Sequence, residues 1–182
     1  MIDAACGDNH SVVLTNDRDV YVWGSNKQNQ CGFDCESYPI LNSPKKLMMQ
    51  EYMNSANKEK FSNIHARNNH TILISSSKNT YVSDKLGNGF MPLFGKTPGN
   101  FHFKKVDHAV FMANDYVLLM DSVKNIYRYE LNSQKQQKHS QDKRVALEIL
   151  QNSNFIELHP TEKDIWAVNS MRQLYVCRDF SS

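Results

Sequence analysis

Short apolar runs separated by polar turns follow one another along the chain. Four of these runs, SVVLT, TILIS, VLLMD and IWAVN, carry hydrophobic residues at successive positions. Each is followed by a polar connection and a second run, which reads VYVWG, TYVSD, IYRYE or LYVCR. β-Branched and aromatic residues bounded by Asn, Asp and Ser are typical of strands and hairpins. The pattern predicts antiparallel strands, with the first four runs buried on both faces of their sheets.

The same pattern recurs in a fixed register. It starts at residues 1, 61, 107 and 155, and each copy has a tyrosine at one equivalent place: Tyr21, Tyr81, Tyr127 and Tyr175. The first two copies also share a histidine, His10 and His70. Meanders repeated about every 50 residues are typical of β-propellers. Their blades pack face to face and bury apolar surface that a single blade would leave exposed. We therefore predict an all-β fold of three to four antiparallel meander repeats in a single domain over residues 1–182.

The repeats are predicted to cover most of the chain. Their expected bounds, together with an insertion after the first, are 1–43, 44–60 for the insertion, 61–100, 107–134 and 155–182. The turn-rich stretch 87–100 is predicted to be a loop within the second repeat.

The first repeat carries a recognisable motif. Its small, polar and aromatic positions are Gly7, His10, Ser11, Leu14, Tyr21, Trp23, Gly24, Asn26, Gln30 and Gly32. In this pattern it resembles a repeat of the regulator of chromosome condensation family, a β-propeller that usually has seven blades. The second copy keeps His70, Thr71 and Tyr81 but loses both glycines, and the last two copies keep only the apolar pattern and the tyrosine. The resemblance implies a partial or open propeller of the seven-bladed type. We expect completion by another chain, self-association, or origin as part of a longer protein.

The motif residues are predicted to be structural. Gly7 suits a position where the backbone approaches closely or takes a positive φ angle. A histidine before Ser or Thr can hydrogen-bond backbone groups that a turn leaves unpaired. The large aromatic residues suit packing at blade interfaces. The predicted structural set is Gly7, His10, Tyr21, Trp23, Gly24, His70, Tyr81, Tyr127 and Tyr175.

The composition points away from several classes of chemistry. A net charge of +2 does not favour nucleic acid, and no apolar stretch has the length of a membrane span. Four cysteines in 182 residues do not suggest a disulfide scaffold. A zinc site of Cys31 and Cys35 with His10 or Cys177 lacks a second clustered pair, so Cys31 is better explained as a small buried hydrophobe. We expect no metal, no cofactor and no enzyme active site.

The insertion is the predicted partner contact. It contains a stripe compatible with a short amphipathic helix, and methionine adapts to varied partner surfaces. The alternative is a solvated connector at the blade edge. The residues predicted to contact a partner are Lys45, Met48, Met49, Tyr52 and Met53.

Function is inferred from the resemblance. It implies a non-catalytic scaffold for protein interaction. One alternative is a protein similar to the short fungal alpha-tubulin suppressor, which supports tRNA wobble-uridine modification and diphthamide synthesis. Another is guanine-nucleotide exchange on a Ran-like small GTPase. The expected partner is a protein, such as a small GTPase or a tRNA- or translation-factor-modifying assembly. With no secretory signal at the start, we expect a cytoplasmic or nuclear location.

Overall fold

A computed structural model describes residues 1–48, 60–83, 89–92, 106–111, 116–122, 126–130, 155–160 and 164–177. These residues form fourteen strands and their turns. Within these ranges no helix is long and apolar enough to cross a membrane. The chain divides into two compact units, Met1–Lys105 and Val106–Ser182, which are described separately.

The first unit contains two four-stranded sheets in which neighbouring strands follow one another in the chain. The first sheet consists of β1 (Asp3–Cys6), β2 (His10–Leu14), β3 (Val20–Ser25) and β4 (Ile40–Lys46). The second consists of β5 (Phe61–Arg67), β6 (His70–Ser75), β7 (Thr80–Ser83) and β8 (Phe90–Pro92). All neighbouring pairs are antiparallel, as the sequence pattern predicts.

The second unit contains two three-stranded antiparallel sheets. One is formed by β9 (Val106–Phe111), β10 (Tyr116–Asp121) and β11 (Ile126–Glu130). The other is formed by β12 (Phe155–Pro160), β13 (Ile165–Asn169) and β14 (Leu174–Cys177). The prediction of an all-β fold of antiparallel meanders is confirmed. That the whole chain is one domain stays a prediction.

The repeated tyrosine holds one register in all four sheets. It is the second residue of the third strand in each, and its Cα pairs with a residue in the middle of the second strand. The pairs are Val13 with Tyr21, Leu73 with Tyr81, Leu119 with Tyr127 and Ala167 with Tyr175. A shift of one residue would move every side chain of a strand to the other face of its sheet. The four segments are therefore structural repeats as well as sequence repeats.

Each unit has its own apolar core. In the first unit, strands of both sheets contribute to one cluster that includes Val12, Leu14, Val22, Ile64 and Leu73. In the second unit the core cluster comprises Leu118, Met120, Phe155, Leu158, Ile165 and Ala167.

Burial on both faces was predicted for all four second strands and holds for two. Every residue of β6 is buried, and so are the four apolar residues of β10. In contrast, β2 and β13 alternate between buried and more exposed positions, and Trp166 on β13 is exposed. For these two strands the prediction was wrong, because successive apolar residues also occur where a sheet buries one face more deeply than the other.

Two fourth strands lie where the sequence indicated no strand. Residues 44–46, predicted to begin an insertion, are the end of β4. Residues 90–92, predicted to lie in a loop, are β8. The strand β4 has one buried residue, Leu41, and contains Pro44. Proline cannot donate to the ladder and is confined to edge strands, so neither alternation nor propensity marks this segment as a strand.

The three described hairpins between a second and a third strand, in the first, second and fourth sheets, share one turn geometry. In the first sheet the amide of Thr15 donates to the carbonyl of Asp19 and the amide of Arg18 donates to the carbonyl of Thr15, both at 2.9 Å. The same two bonds recur at Ser75–Asn79 and at Asn169–Gln173. The fourth turn residue is left-handed each time, with φ angles of 63°, 67° and 61° at Arg18, Lys78 and Arg172. Glycine takes this conformation freely, whereas other residues incur about 1–2 kcal/mol.

Candidate interaction site

The connection between β3 and β4, residues 26–39, is held by buried asparagines, of which Asn26 makes the most widely spaced bonds. The side-chain amide of Asn26 donates to the carbonyls of Phe33, at 2.8 Å, and Tyr38, at 2.9 Å. Its side-chain oxygen accepts from the amide of Cys31 at 2.9 Å, and its own amide donates to the carbonyl of Pro39 at 2.8 Å. Because these bonds tie both ends and the middle of the connection together, the loop has a fixed shape without regular secondary structure.

This loop presents an aromatic pair beneath a lysine. The rings of Phe33 and Tyr38 meet edge to face with centroids 6.2 Å apart. The ammonium of Lys45 on β4 lies 3.6 Å from the centroid of Tyr38 and 4.4 Å from that of Phe33. A cation over aromatic faces is attracted by their quadrupoles, so the lysine and the two rings hold one another in place.

Exposed apolar side chains lie close to this arrangement in the sequence, whereas Phe33 itself is buried in the core of the first unit. Tyr38 is 46% exposed and Ile40 is 52% exposed, and Met48 is exposed too. We call Phe33, Tyr38, Ile40, Lys45 and Met48 the rim. Aromatic residues and methionine are enriched at protein interfaces, and a rigid anchor loses little conformational entropy on binding. The exposed members of the rim, Tyr38, Ile40 and Met48, therefore have the residue types that protein interfaces favour.

Two of the predicted contact residues, Lys45 and Met48, belong to the rim. Between them, Leu47 is buried in the core and its amide donates to the carbonyl of Val20 at 2.9 Å. The other three, Met49, Tyr52 and Met53, lie outside the described residues. Sequence reasoning missed Phe33, Tyr38 and Ile40. The available signal was the stretch FDCESYPI, in which three large apolar residues follow within a turn-rich segment.

The two sheets of the first unit are joined by a buried hydrogen-bond chain. The hydroxyl of Thr71, the second residue of β6, donates to the carbonyl of Gln30 at 2.7 Å. Since its only proton is used there, it accepts from Nε2–H of His10, the first residue of β2, at 2.8 Å. Sequence reasoning expected His10 to bind backbone groups near its own turn, but the structure shows it bound through Thr71 to a carbonyl of the β3–β4 loop.

The buried position of His10 keeps its imidazole neutral. Burial lowers the pKa of His10 to about 4; the carboxylate of Asp8 acts in the opposite direction, and His70 lowers the pKa further. In the described part of the structure, Nδ1 is buried and accepts no hydrogen bond. A neutral imidazole with one bound nitrogen suits a structural contact rather than proton transfer.

Two glycines of the motif allow close backbone approach. A Cβ at Gly7 would overlap the His10 ring and lie 2.5 Å from the carbonyl oxygen of Asn68. Gly24 has a φ angle of 105°, and a Cβ there would lie 2.5 Å from the carbonyl oxygen of Asn9. The first position needs glycine for space, and the second needs it for both space and backbone conformation.

The aromatic motif residues have different surroundings. Tyr81 is buried with its ring edge to face with that of Phe61, whereas Tyr175 is exposed and meets Phe155 in the same way. Trp23 is partly buried against the core of the first unit. Tyr21 is half-buried, His70 is buried, and Tyr127 lies on β11, where only the backbone is described.

The three cysteines whose side chains the structure describes do not gather with other metal ligands. Cys31 is fully buried in the core, and burial raises the pKa of its thiol to about 12. Cys35 is half-buried and Cys6 is exposed. Among the described residues, no three His, Cys, Asp or Glu side chains come together as metal ligands.

Antiparallel meanders in one repeated register define a β-propeller-type repeat protein. Residues 1–30 match the family model of the regulator of chromosome condensation (RCC1) repeat. The match confirms the resemblance found in the sequence of the first repeat.

Solved structures share the fold at low sequence identity. Human WBSCR16 is similar with a TM-score of 0.69 at 12% identity, over 98% of this chain and 48% of that protein. Yeast RCC1 (Prp20), solved bound to Kap60, is similar with a TM-score of 0.63 at 19% identity, over 96% of this chain and 42% of that protein. A structure of Saccharomyces cerevisiae Prp20p, described with its binding to Gsp1p and histones, has a TM-score of 0.63 at 18% identity, over 96% and 43%. The chain thus spans less than half the length of these propellers.

Proposed function

We propose that the chain is a non-catalytic scaffold that binds a partner protein through the rim. The observation that carries the proposal is the exposure of two neighbouring side chains: Tyr38, at the end of the loop that Asn26 ties together, and Ile40, the first residue of β4. A few rigid, well-packed aromatic and aliphatic anchors supply most of the binding energy in protein interfaces. The proposal includes a cytoplasmic or nuclear location.

Three classes of partner are considered. Yeast Prp20p binds Gsp1p and histones, which supports a small GTPase as the first partner to test here. Resemblance of the first repeat to the short alpha-tubulin suppressor supports a tRNA- or translation-factor-modifying assembly as the second. A second propeller chain, including another copy of this one, is the third, because the chain covers less than half of its structural relatives.

Direct binding of the full chain to purified candidates tests the proposal. We expect binding to one partner class, and we expect the Tyr38→Ala/Ile40→Asp variant to lose it while its thermal unfolding stays unchanged. Ile2→Asp is the matched control, because Ile2 is 47% exposed and lies outside the rim. Release of labelled GDP from a Ran-like GTPase, measured in parallel, separates an exchange factor from a scaffold that only binds. Equal binding by the rim variant and the wild type would refute the rim as the contact surface.

A further inference from the structure

The two sheets of the first unit pack face to face. We call the face of each sheet that carries the repeated tyrosine its tyrosine face, and the other face its reverse face. On the tyrosine face of the second sheet, Ile64, Leu73 and Tyr81 lie side by side on three strands, and all three are buried. They belong to one core cluster with residues of the reverse face of the first sheet, which are Val12, Leu14, Val20 and Val22.

The second unit repeats this arrangement. On the tyrosine face of the fourth sheet, Leu158 and Ala167 lie beside Tyr175. Both are buried in one core cluster with Leu118 and Met120, which lie on the reverse face of the third sheet. In both units, therefore, the reverse face of one sheet covers the tyrosine face of the next.

The tyrosine face of the first sheet is more exposed than that of the second. Ala4, Val13 and Tyr21 lie side by side on it, in the register of the buried residues of the second sheet. Ala4 is exposed, and Val13 and Tyr21 are half-buried. An apolar face that the second sheet buries is thus accessible on the first.

The reverse face of the fourth sheet is exposed in the same sense. Trp166, Leu174 and Val176 lie on it and are 37%, 57% and 39% exposed. Trp166 pairs with Val176 in the register in which Val12 pairs with Val22 in the first sheet, where both valines are buried. A contiguous exposed apolar surface of this kind is typical of a contact with another protein.

The side chains of these two exposed faces are complementary in size. Trp166 stands at the register position of Val12, so the exposed reverse face carries the larger residue. Ala4 stands at the register position of Ile64, so the exposed tyrosine face carries the smaller one. Facing surfaces fill the space between them when large residues on one meet small residues on the other.

The polar residues of the exposed reverse face are compatible with such packing. Glu157 and His159 lie on β12 and contact each other at 3.0 Å. Glu157 stands at the register position of Asp3, which is exposed although the reverse face of the first sheet is packed. A carboxylate at this position can therefore remain in water at the margin of a covered face.

We propose that the reverse face of the fourth sheet in one copy of the chain packs on the tyrosine face of the first sheet in a second copy. The contact is head to tail, since each copy contributes a different face. It repeats between two copies the packing that each unit shows within itself. Neither face includes a residue of the rim, so this association is independent of the proposed binding of a partner through the rim.

Sedimentation equilibrium of the full chain tests the proposal. We expect the mass of the wild type to rise with concentration from 21.0 kDa to twice that value or a higher multiple. Ala4→Lys and Trp166→Lys each place a charge within the contact, and each should weaken association about tenfold or more.

Mixing the two variants tests the head-to-tail arrangement. The Ala4→Lys chain keeps its reverse face and the Trp166→Lys chain keeps its tyrosine face, so an equal mixture should form a one-to-one pair. Both substitutions add a positive charge, so no ion pair between them can restore the contact. A contact between two identical faces would instead let one of the variants associate alone.

Matched controls add the same charge away from both faces. Met171→Lys changes a residue that is 75% exposed in the β13–β14 turn, and Ile40→Lys changes the rim; both should associate as the wild type does. Circular dichroism verifies that each variant is folded, and Val176→Lys takes the place of Trp166→Lys if that variant is unfolded.

Three results would overturn the proposal. They are a wild type that stays monomeric up to about 100 μM, a face variant that associates as the wild type does, and a mixture of the two variants that stays monomeric. A monomeric wild type that still binds a partner through the rim would overturn this proposal and leave the proposed function standing.

Discussion

The imidazole of His10 and the hydroxyl of Thr71 are 2.8 Å apart, on the second strands of two successive repeats. Thr71 follows His70, which is the equivalent of His10, so a residue of one repeat binds the neighbour of its own counterpart in the next. At the register position of Thr71, the third and fourth repeats have Val117 and Ile165, which carry no hydroxyl. Of the four repeats, only the two in the first unit therefore have the residue types that this bond needs.

Breaking the His10–Thr71 bond should destabilise the first unit. His10→Ala is expected to lower the free energy of unfolding by about 1–3 kcal/mol, since the Thr71 hydroxyl loses a buried partner. A double-mutant cycle with Thr71→Val should give a coupling energy of about 1 kcal/mol. His70→Ala, which also removes a buried imidazole, should destabilise to a similar extent. Chemical unfolding of each variant measures these values; unchanged stability with lost partner binding would assign His10 a role in recognition.

Stability should fall as the pH drops below 6.5. The pKa of His10 is lowered to about 4 in the folded protein from an ordinary value of 6.5. Between these values the unfolded chain binds a proton that the folded chain does not, so stability is full above pH 6.5 and is lost towards pH 4, by about 1.4 kcal/mol per pH unit. The test compares thermal unfolding across this range for the wild type and His10→Gln, which should have a flatter profile. Parallel profiles would contradict burial of a neutral His10.

Alanine at either motif glycine should be costly. Gly24→Ala must place a side chain at a φ angle of 105° and close to the Asn9 carbonyl oxygen, so we expect a loss of about 1–3 kcal/mol. Gly7→Ala should disturb the His10 ring and with it the bond to Thr71. Its effect should therefore be smaller in a His10→Ala background. Additive losses at Gly7 and His10 would show that the two positions act independently.

Two deletions of different length test which part of the predicted insertion the first unit needs in order to fold. Removing 49–59 and closing the gap with a short Gly-Ser link should leave the first unit folded, because surface connections tolerate changes of length at little cost. Removing 44–60 should unfold it, because that deletion takes the end of β4, the buried Leu47 and the Lys60 contacts to the β2–β3 hairpin. Circular dichroism and thermal unfolding compare the two. Unfolding by the shorter deletion would place core residues within 49–59.

The second and third strands of each repeat were predictable because the sequence pattern that marks them is local and recurs in every repeat. Apolar runs give the strands, and four tyrosines at one position give a register that the structure reproduces. The fourth strands were not predictable, since β4 and β8 are edge strands held by backbone pairing to β3 and β7 rather than by an apolar pattern of their own. Phe90 illustrates the difficulty: it is buried in the core of the first unit, yet its neighbours Gly89 and Pro92 are turn formers.

The candidate site was predictable only in part for a related reason. Lys45 and Met48 were predicted because they lie in an insertion that carries an apolar, methionine-rich stripe. Tyr38 lies at the end of a loop that Asn26 ties together, and Ile40 begins the edge strand that follows it. Bonds from one side chain to carbonyls seven and twelve residues away leave no periodic signal. The pairing of His10 with Thr71 likewise depends on which repeats face each other.

The dissociation constant of the partner protein, measured by isothermal titration calorimetry against the wild type and Tyr38→Ala/Ile40→Asp, tests the scaffold account most directly. Both proteins must first give the same unfolding temperature, so that any difference reports contact and not folding. The account predicts at least about tenfold weaker binding by the variant, as loss of central interface anchors requires, and unchanged binding by Ile2→Asp. Equal dissociation constants for the wild type and the rim variant would contradict it.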